Sequence, residues 1–513
     1  MLRLHPVQRR EAPRRKLGRF IAMMCAVGTL FLSAQGLAAS PDPEFEIPTL
    51  LDAVDLALIN GPDMASAQKT VEQAQIGSLA ARSALSWRVD AAGSHSQMRD
   101  VEAGTDDSQT AASLTLQRTF TFDPAVANQL RQADLGAEQT LILLERTAYE
   151  TVATVFEAYR QLELALIQRQ MLAESVRVAQ MGLDVAMSRS ETETLAKEDA
   201  EEARLDLVAA QLEYDASERM LDIARLILAQ RLGIDDLPTV DEVPVPSLDE
   251  LKDAIASGSA EYWPERPLPW PATLEELQMS AVANRPEVRL AHARVRQSEI
   301  DVEQARLARR PVFFTEAKYT KPLDGDVSVS LNSRGGLSAS LNVYEPYDST
   351  KMQLKNSPAS NDQWEVRIGA SVNLWDSAQS AIEVERASSA LRQATSDWEQ
   401  AKSGVELDVA NRHINAVTAH RRLRLQSERT LLALDRLAAE QRRLELGLAT
   451  PLSVAAKELE VHGAVVQTYA ARVEYEKSVV DLAVSVGLAF DELRELIRSY
   501  ETPVTPQHTA GQP

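Results

Sequence analysis

Apolar residues recur at alternating steps of three and four positions along two very long stretches of this chain. The first stretch runs from about 125 to 187 and the second from about 384 to 446. This spacing places the apolar residues on one helix face and is typical of a coiled-coil seam. At about 1.5 Å per residue, the first stretch predicts a helix of about 95 Å, several times the usual length. The seam positions in the first stretch are Leu141, Leu144, Ala148, Val152, Val155, Tyr159, Leu162 and Leu166.

Each long stretch is followed by a break and then by a second helical run. The polar segment 188–194 separates the first pair, and the segment 447–451, with its glycine and proline, separates the second. The return runs end at Gly233 and Gly487, and a glycine often follows the last helical residue. The pattern therefore predicts two long antiparallel helical hairpins. The first return run carries apolar residues at Leu205, Val208 and Leu212.

Strict alternation of apolar and polar residues marks strands between the helices. The alternation is clearest at 112–122 and at 366–374, and a weaker partner for the first lies at 88–98. We expect one β-hairpin in each half of the chain, and therefore four strands. The segment 321–363 is predicted to be mostly a polar loop, in which 337–344 is the one candidate for an extra strand.

The segment 49–87 returns, without a gap, 224 positions later. Both copies contain a short helical pattern, an Asn-x-Pro break and a longer helical pattern. The breaks are Asn60 with Pro62 and Asn284 with Pro286. Proline ends one helix because it lacks an N–H, and its fixed φ suits the first position of the next. We interpret the chain as two copies of one unit.

The start of the chain has the three parts of a secretory signal: basic residues, a short apolar core and small residues. A retained anchor helix is the alternative, but the apolar run is short for a membrane span. We therefore expect the mature protein to leave the cytoplasm. The predicted divisions are a signal peptide at 1–39, a first repeat at 40–233, a proline-rich linker at 234–272, a second repeat at 273–489 and a C-terminal tail at 490–513.

Charge and composition argue against several classes of function. The net charge is −21, whereas nucleic-acid binding needs a basic surface. The only cysteine, Cys25, lies in the predicted signal peptide, and the histidines lack metal-binding spacing. Most carboxylates are interpreted as solvated helix faces beside Arg or Lys. We predict no catalytic residue, cofactor or metal, and we single out only the acidic cluster around Glu191 and Glu193.

Several short motifs follow one another in a fixed order within the duplicated unit. They are AVANRPE at 281–287, the aromatic-Asp pairs Phe122-Asp123 and Trp375-Asp376, PLPW ending at Trp270, and LELGLAT at 444–450. In this order they make essentially the whole mature chain resemble the TolC family of outer-membrane efflux proteins.

The resemblance implies a mainly α protein with a small β part. Long antiparallel helical hairpins would form an α-barrel, and four strands per chain would join a trimeric, twelve-stranded outer-membrane β-barrel. The implied function is that of a passive exit duct in a tripartite efflux or type I secretion system of a Gram-negative bacterium. The implied partners are two further copies of the chain, a periplasmic adaptor, an inner-membrane transporter and outer-membrane lipid.

The resemblance also implies roles for individual residues. Phe122-Asp123 and Trp375-Asp376 would form the strand-to-helix junctions. This chain departs from members with a closed gate, which carry a Tyr, an Arg and two Asp around the second tip, and it has a serine where the first tip usually has a glycine. The residues expected to contact the adaptor are Ser190, Glu191, Glu193, Leu444, Gly447, Leu448 and Thr450.

One alternative comes from another class of protein. A periplasmic coiled-coil scaffold or adhesin without a channel would explain the helical seams. It would not explain paired strands that each have an apolar face. The sequence does not indicate which substrate would be exported.

Overall fold

The structure of the protein is a computed structural model. It describes residues 49–100, 105–120, 124–191, 197–234, 246–259, 262–269, 272–321, 325–333, 336–346, 363–371 and 378–500. The predicted signal peptide lies outside these residues.

A short and a longer helix lie on either side of each Asn-x-Pro break. Helices α1 (Leu50–Asn60) and α2 (Pro62–Ser83) have 11 and 22 residues, the same lengths as α6 (Leu274–Asn284) and α7 (Pro286–Leu307). Each proline is the first residue of its helix, as predicted, where the missing N–H leaves no hydrogen bond unmade. A threonine side chain caps the first helix of each pair.

Four long helices form two antiparallel pairs. Helix α3 (Pro124–Glu191) has 68 residues and α4 (Lys197–Leu232) has 36, while α8 (Gln379–Glu445) has 67 and α9 (Pro451–Val486) has 36. The helices of each pair pack along one another, and α9 also packs along α3. The predicted seam of α3 is confirmed over its second half. Its buried residues there are Ala148, Val152, Val155, Tyr159, Leu162 and Leu166.

One detail of the helical prediction is wrong, and one feature of the first return helix was not predicted. Helix α3 continues through the start of the polar segment 188–194 as far as Glu191, so Ser190 lies in its last turn. The apolar residues that marked the first return run lie on an exposed face of α4, whereas Leu221 and Leu228 on another face are buried. Periodicity detects both apolar faces and does not tell which one meets the core of the chain. The exposed residues are Leu205, Val208 and Leu212.

The strands form one antiparallel sheet, in the order β1-β2-β5-β4-β3-β6. The two hairpins predicted from the alternation correspond to β1 with β2 and to β3 with β6. The strands are β1 (Arg88–Asp100), β2 (Thr105–Thr119), β3 (Val312–Lys321), β4 (Gly325–Asn332), β5 (Gly336–Pro346) and β6 (Gln363–Ser371).

The sheet therefore has six strands rather than the four that the sequence predicts. The candidate strand at 337–344 is confirmed within β5, but β4 was predicted to be loop. The serines on one face of β4 and β5 caused the error, because they make the segment polar. In the sheet these serines pair with one another: Ser328 lies 2.7 Å from Ser340, and Ser330 lies 2.7 Å from Ser338.

Two segments outside the repeats also pack into the helical part. Helix α5 (Leu248–Ala256) lies in the predicted linker and begins with a capping box. Helix α10 (Phe490–Ser499) lies in the predicted tail, and its Leu493 and Ile497 are fully buried. Their i, i+4 spacing was the signal in the sequence for this helix, which was not predicted.

Four charged side chains form a buried cluster between α3 and α9. Arg160 Nη1 donates to Glu163 Oε2 at 2.6 Å, and Arg160 Nη2 lies 2.9 Å from Glu476 Oε2. Arg472 Nε donates to Glu476 Oε1 at 2.7 Å. Burial alone would lower the pKa of Arg160, but Glu476 and Glu163 raise it, so the guanidinium stays charged. The interpretation of carboxylates as solvated is wrong for these two glutamates.

The cluster also holds two segments that are distant in the sequence. The Tyr262 ring of the linker lies 5.3 Å from the Arg472 guanidinium carbon, and the Tyr500 carbonyl accepts a hydrogen bond from Arg160 Nη2 at 2.6 Å. Ser427 Oγ of α8 donates to the Tyr262 carbonyl at 3.1 Å. One buried site therefore joins three long helices, the linker and the end of the described chain.

We expect Glu476→Gln to lower the free energy of unfolding by about 3–5 kcal/mol, because two buried guanidinium groups would share one carboxylate. The matched control is Glu474→Gln in the same helix. Glu474 accepts a hydrogen bond from Arg422 at 2.6 Å, but both side chains are more than half exposed, so this change should cost less than about 1 kcal/mol. Denaturant unfolding in detergent, followed by circular dichroism, measures both. Equal losses would contradict the role assigned to the cluster.

Candidate functional site

The sheet has one polar and one apolar face that continue across all six strands. The strand register aligns residues into rows, and neighbouring rows point to opposite faces. One polar row contains Asp90, Thr115, Ser340, Ser328, Lys318 and Glu365. The apolar row beside it contains Val89, Leu116, Ala339, Val329, Ala317 and Val366.

Hydrogen bonds and an ion pair cross the polar face between neighbouring strands. In addition to the two serine pairs, Asn342 Nδ2 of β5 donates to Asp326 Oδ1 of β4 at 2.8 Å. Lys318 Nζ of β3 lies 2.9 Å from Asp326 Oδ2. The polar face is therefore an ordered network that joins three successive strands.

The burial of the two faces is reversed relative to a sheet that packs on a core. Val329 and Val366 on the apolar face are 43% and 69% exposed, whereas Asp326 on the polar face is 7% exposed. A one-sided sheet in water normally covers its apolar face and exposes its polar face. The described residues leave this apolar face uncovered, and a contiguous exposed apolar surface marks a site of interaction.

Aromatic residues lie at both ends of the sheet. Trp87 and Phe120 lie at the end nearest the helices, where the Arg118 guanidinium carbon is 5.2 Å and 4.8 Å from their ring centroids. Tyr319 and Trp364 lie at the opposite end, with ring centroids 4.7 Å apart. Aromatic rings at two levels are typical of a surface that passes from an apolar to an aqueous medium.

The second helical tip has a well-defined backbone. Gly447 has a φ of +72°, a value that side chains disfavour. Thr450 caps α9: its hydroxyl accepts from the Ser453 N–H at 3.1 Å, and the Ser453 hydroxyl accepts from the Thr450 N–H at 3.2 Å. Pro451 is the first residue of α9. These caps hold the turn in one shape.

The second tip exposes two leucines. Leu446 and Leu448, on either side of Gly447, are 73% and 67% exposed. Leu444, another predicted adaptor contact, is half-buried. The tip therefore presents two leucines on a rigid turn.

The first tip is described only on its α3 side. Ser190 is half-buried in the last turn of α3, and Glu191 ends the helix. The Glu191 side chain and all of Glu193 lie outside the described residues. The predicted strand-to-helix junctions also lie outside them; they are Phe122, Asp123, Trp375 and Asp376.

The described residues contain neither a metal-binding cluster nor a helix suited to span a membrane. No group of three or more His, Cys, Asp or Glu side chains is placed there to hold a metal ion. Among the described helices, none combines the length and the apolar composition that a membrane-spanning helix needs.

Comparison with solved structures identifies the fold. No family model and no curated protein matches the chain. CusC matches with a TM-score of 0.61 and 15% identity, over 88% of this chain and 99% of CusC. The CmeC outer membrane channel of Campylobacter jejuni matches with a TM-score of 0.61 and 14% identity, over 90% and 94%. The open MtrE outer membrane channel of Neisseria gonorrhoeae matches with 0.60 and 16%, over 86% and 89%. This chain has the TolC-like fold.

In this TolC-like fold each Asn-x-Pro break packs against the glycine that ends a return helix. A Cβ on Gly233 would lie 2.3 Å from the carbonyl oxygen of Asn60, and one on Gly487 would lie 3.1 Å from the Cβ of Asn284. The two glycines have φ values of +73° and +69°. The sequence predicts the breaks and the glycines separately, but not the contacts between them.

An ion pair fixes the second break to α8. Arg285 Nη1 donates to Asp408 Oδ2 at 2.6 Å, and Arg412 Nε donates to Asp408 Oδ1 at 3.1 Å. Burial alone would raise the pKa of Asp408, but the hydrogen bond from Arg285 and the charge of Arg412 lower it. The carboxylate is therefore ionised at neutral pH and holds the break in place.

We expect an alanine substitution to lower the free energy of unfolding by different amounts at Gly447 and at Gly233. Gly447→Ala should lower the free energy of unfolding by about 1 kcal/mol, because a Cβ there meets only the positive φ and no atom within 4 Å. Gly233→Ala should cost about 1–3 kcal/mol more, because its Cβ also meets a backbone oxygen. Denaturant midpoints of the two variants provide the comparison. A Gly233→Ala protein as stable as Gly447→Ala would show that the contact at Asn60 is not tight.

Proposed function

We propose that this chain is one subunit of a homotrimeric outer-membrane channel, which serves as the exit duct of a tripartite efflux or type I secretion system. The observation that carries the proposal is the reversed burial of the sheet, with the apolar face outside and the hydrogen-bonded polar face protected. The outer membrane channels MtrE and CmeC support it through their shared fold.

Lipid is the covering that fits the apolar face of the sheet. The strands have 8 to 15 residues, and a tilted strand needs about 9–11 residues to cross the hydrocarbon layer. The aromatic residues at both ends match the two membrane interfaces. An open sheet cannot lie in lipid, because its edges leave backbone groups without hydrogen-bond partners. The sheet must therefore close with other copies of the chain into a barrel.

The long helices carry apolar stripes that also need other copies. Helix α4 packs on α3, and α8 packs on α9 and α7, yet each has a second apolar face that is exposed. Two different surfaces that meet head to tail generate a closed ring when the rotation from one copy to the next closes on itself. A ring in which α4 of one copy covers α8 of the next would bury both stripes. The exposed residues are Leu205, Val208, Leu212, Met220 and Ile223 on α4, and Leu407, Ile414, Leu425 and Leu432 on α8.

The helical tips are the surfaces proposed to meet a periplasmic adaptor, which would connect the duct to an inner-membrane transporter. Leu446 and Leu448 supply an apolar contact that a partner would bury. The acidic residues of the first tip, Glu191 and Glu193, would add a polar contact nearby. The duct itself needs no cofactor, since the proposed transport is passive.

A coiled-coil scaffold or adhesin is the alternative that the sequence left open. The exposed helical stripes are compatible with it. The sheet argues against it, because in a scaffold surrounded by water the apolar face of all six strands would be exposed to solvent.

Leu116→Arg tests the membrane position of the sheet. We expect the variant to lose about 2–4 kcal/mol of stability in lipid and most of its trimer in the outer-membrane fraction, because a charge would face the hydrocarbon. Thr115→Arg is the matched control on the opposite face and should be tolerated. For both variants, membrane fractionation measures the amount of protein in the outer membrane, and the native mass of the extracted protein measures the amount of trimer.

The same fractionation separates the two classes of function. A chain recovered in the soluble periplasm as a rod, and insensitive to Leu116→Arg, would support the scaffold and exclude the channel.

The double variant Leu446→Glu, Leu448→Glu tests the tip. It should assemble and insert normally, because both side chains are exposed. It should bind the adaptor about tenfold more weakly or worse, because loss of an apolar contact at an interface centre costs more than about 1.4 kcal/mol. Cross-linking from a photoreactive group at Thr450 in cells measures the contact. Gly447→Ala is the control: it keeps both leucines and should retain the cross-link. Unchanged cross-linking in the double variant would show that the two leucines are not part of the interface.

A further inference from the structure

The hairpin of β4 and β5 lies inside the sheet and not beside it. β5 pairs with β2 from Gln109↔Pro346 to Thr119↔Gly336, and β4 pairs with β3 from Phe314↔Asn332 to Lys321↔Gly325. The extra hairpin therefore separates the two hairpins predicted from the sequence, and β2 is not a neighbour of β3 in the described sheet.

The extra hairpin has the same two faces as its neighbours. Val327, Val329 and Leu331 of β4 are 41–43% exposed on the apolar face. The serines of β4 and β5 pair on the polar face, where Lys318 of β3 and Asp326 of β4 continue the network. If this hairpin left the sheet, these polar contacts would break. The edges of β2 and β3 that now pair with it would lose their partners.

The two free edges of the sheet are complementary in direction. All neighbouring strands are antiparallel, so six strands place β1 and β6 in opposite directions. A β6 edge can therefore continue into a β1 edge of another copy as an ordinary antiparallel pair. The described residues leave the β6 edge open, and eight of the nine β6 residues are exposed.

We propose that each copy contributes six strands to the barrel wall, and that β6 of one copy pairs with β1 of the next. This inference rests on the proposed homotrimer, and it assigns both edges to a second copy of the same chain. Three copies then close a barrel of eighteen strands. The family resemblance implies twelve strands, four from each copy, and β4 and β5 account for the difference.

The extra strands change the pore and not only its wall. Barrel diameter grows roughly in proportion to strand number, so eighteen strands give a lumen about one and a half times as wide as twelve. The polar face would line this lumen, with one Lys318–Asp326 pair from each copy. The chain is therefore suited to pass a bulkier solute at the outer membrane than a twelve-stranded duct of the same fold.

Engineered cysteine pairs distinguish the two walls. Cys25 is the only cysteine, so Cys25→Ser provides a cysteine-free parent. Thr115 of β2 lies opposite Ser340 of β5, and its row reaches Lys318 of β3 two strands further on. In outer-membrane trimers, oxidation should link the Thr115→Cys, Ser340→Cys pair and leave Thr115→Cys, Lys318→Cys unlinked. A twelve-stranded wall, with β4 and β5 outside it, predicts no link in the first protein. A link in the second protein, or in neither, would overturn the proposal.

A second set of pairs tests the joint between copies. Arg367→Cys on β6 is combined in turn with Arg88→Cys, Asp90→Cys and Ala92→Cys on the polar face of β1. At least one combination should shift to covalent dimer and trimer on a non-reducing gel. Absence of all three links, while the Thr115 and Ser340 pair forms, would overturn the joint.

The parent protein separates this inference from the proposed function. Its outer-membrane location and native mass are measured before any oxidation. A parent that is not an outer-membrane trimer would overturn the proposed function, and this inference with it. A parent that is an outer-membrane trimer with the wrong strand links would overturn only the six-stranded wall.

Discussion

The buried ionic cluster between α3 and α9 is the interaction on which the helical part of the structure depends. A buried charge without its partner costs several kcal/mol, so Arg160 and Arg472 are stable inside only while both glutamates are present. The linker tyrosine and the Tyr500 carbonyl complete the surroundings of the two guanidinium groups. The cluster is therefore satisfied only when both halves of the chain, the linker and the C-terminal helix are assembled. Its main effect is to select one arrangement of the helices.

The sheet obeys the opposite rule of burial, and this contrast defines the molecule. The helical part buries apolar side chains, as expected in water. It also buries the four charged side chains of the ionic cluster. The sheet exposes its apolar side chains and, on β3 and β4, protects its polar ones, as expected in lipid. Open strand edges and uncovered helical stripes occur in the same chain, so one type of neighbour, another copy of itself, would satisfy both.

Features that depend on residues close together in the sequence were predictable, and features that depend on distant residues were not. The long helices, their proline starts and their glycine ends depend on neighbours within a few residues, and the sequence predicts them. The strand β4 was missed because its serines find their partners on β5 and so look like loop residues in isolation. The ionic cluster was missed because Arg160 and Glu476 lie more than 300 positions apart, and each resembles a solvated charge. Tip residues were predictable as turns, but a turn does not reveal what it contacts.

The contacts of Asn60 with Gly233 and of Asn284 with Gly487 set the end point of each return helix. Both return helices have 36 residues, so each covers about 54 Å between its contact and its tip. One inserted residue would move the tip by about 1.5 Å and turn the helix by about 100°. The two return helices therefore have equal lengths, and an insertion in only one of them would make those lengths unequal.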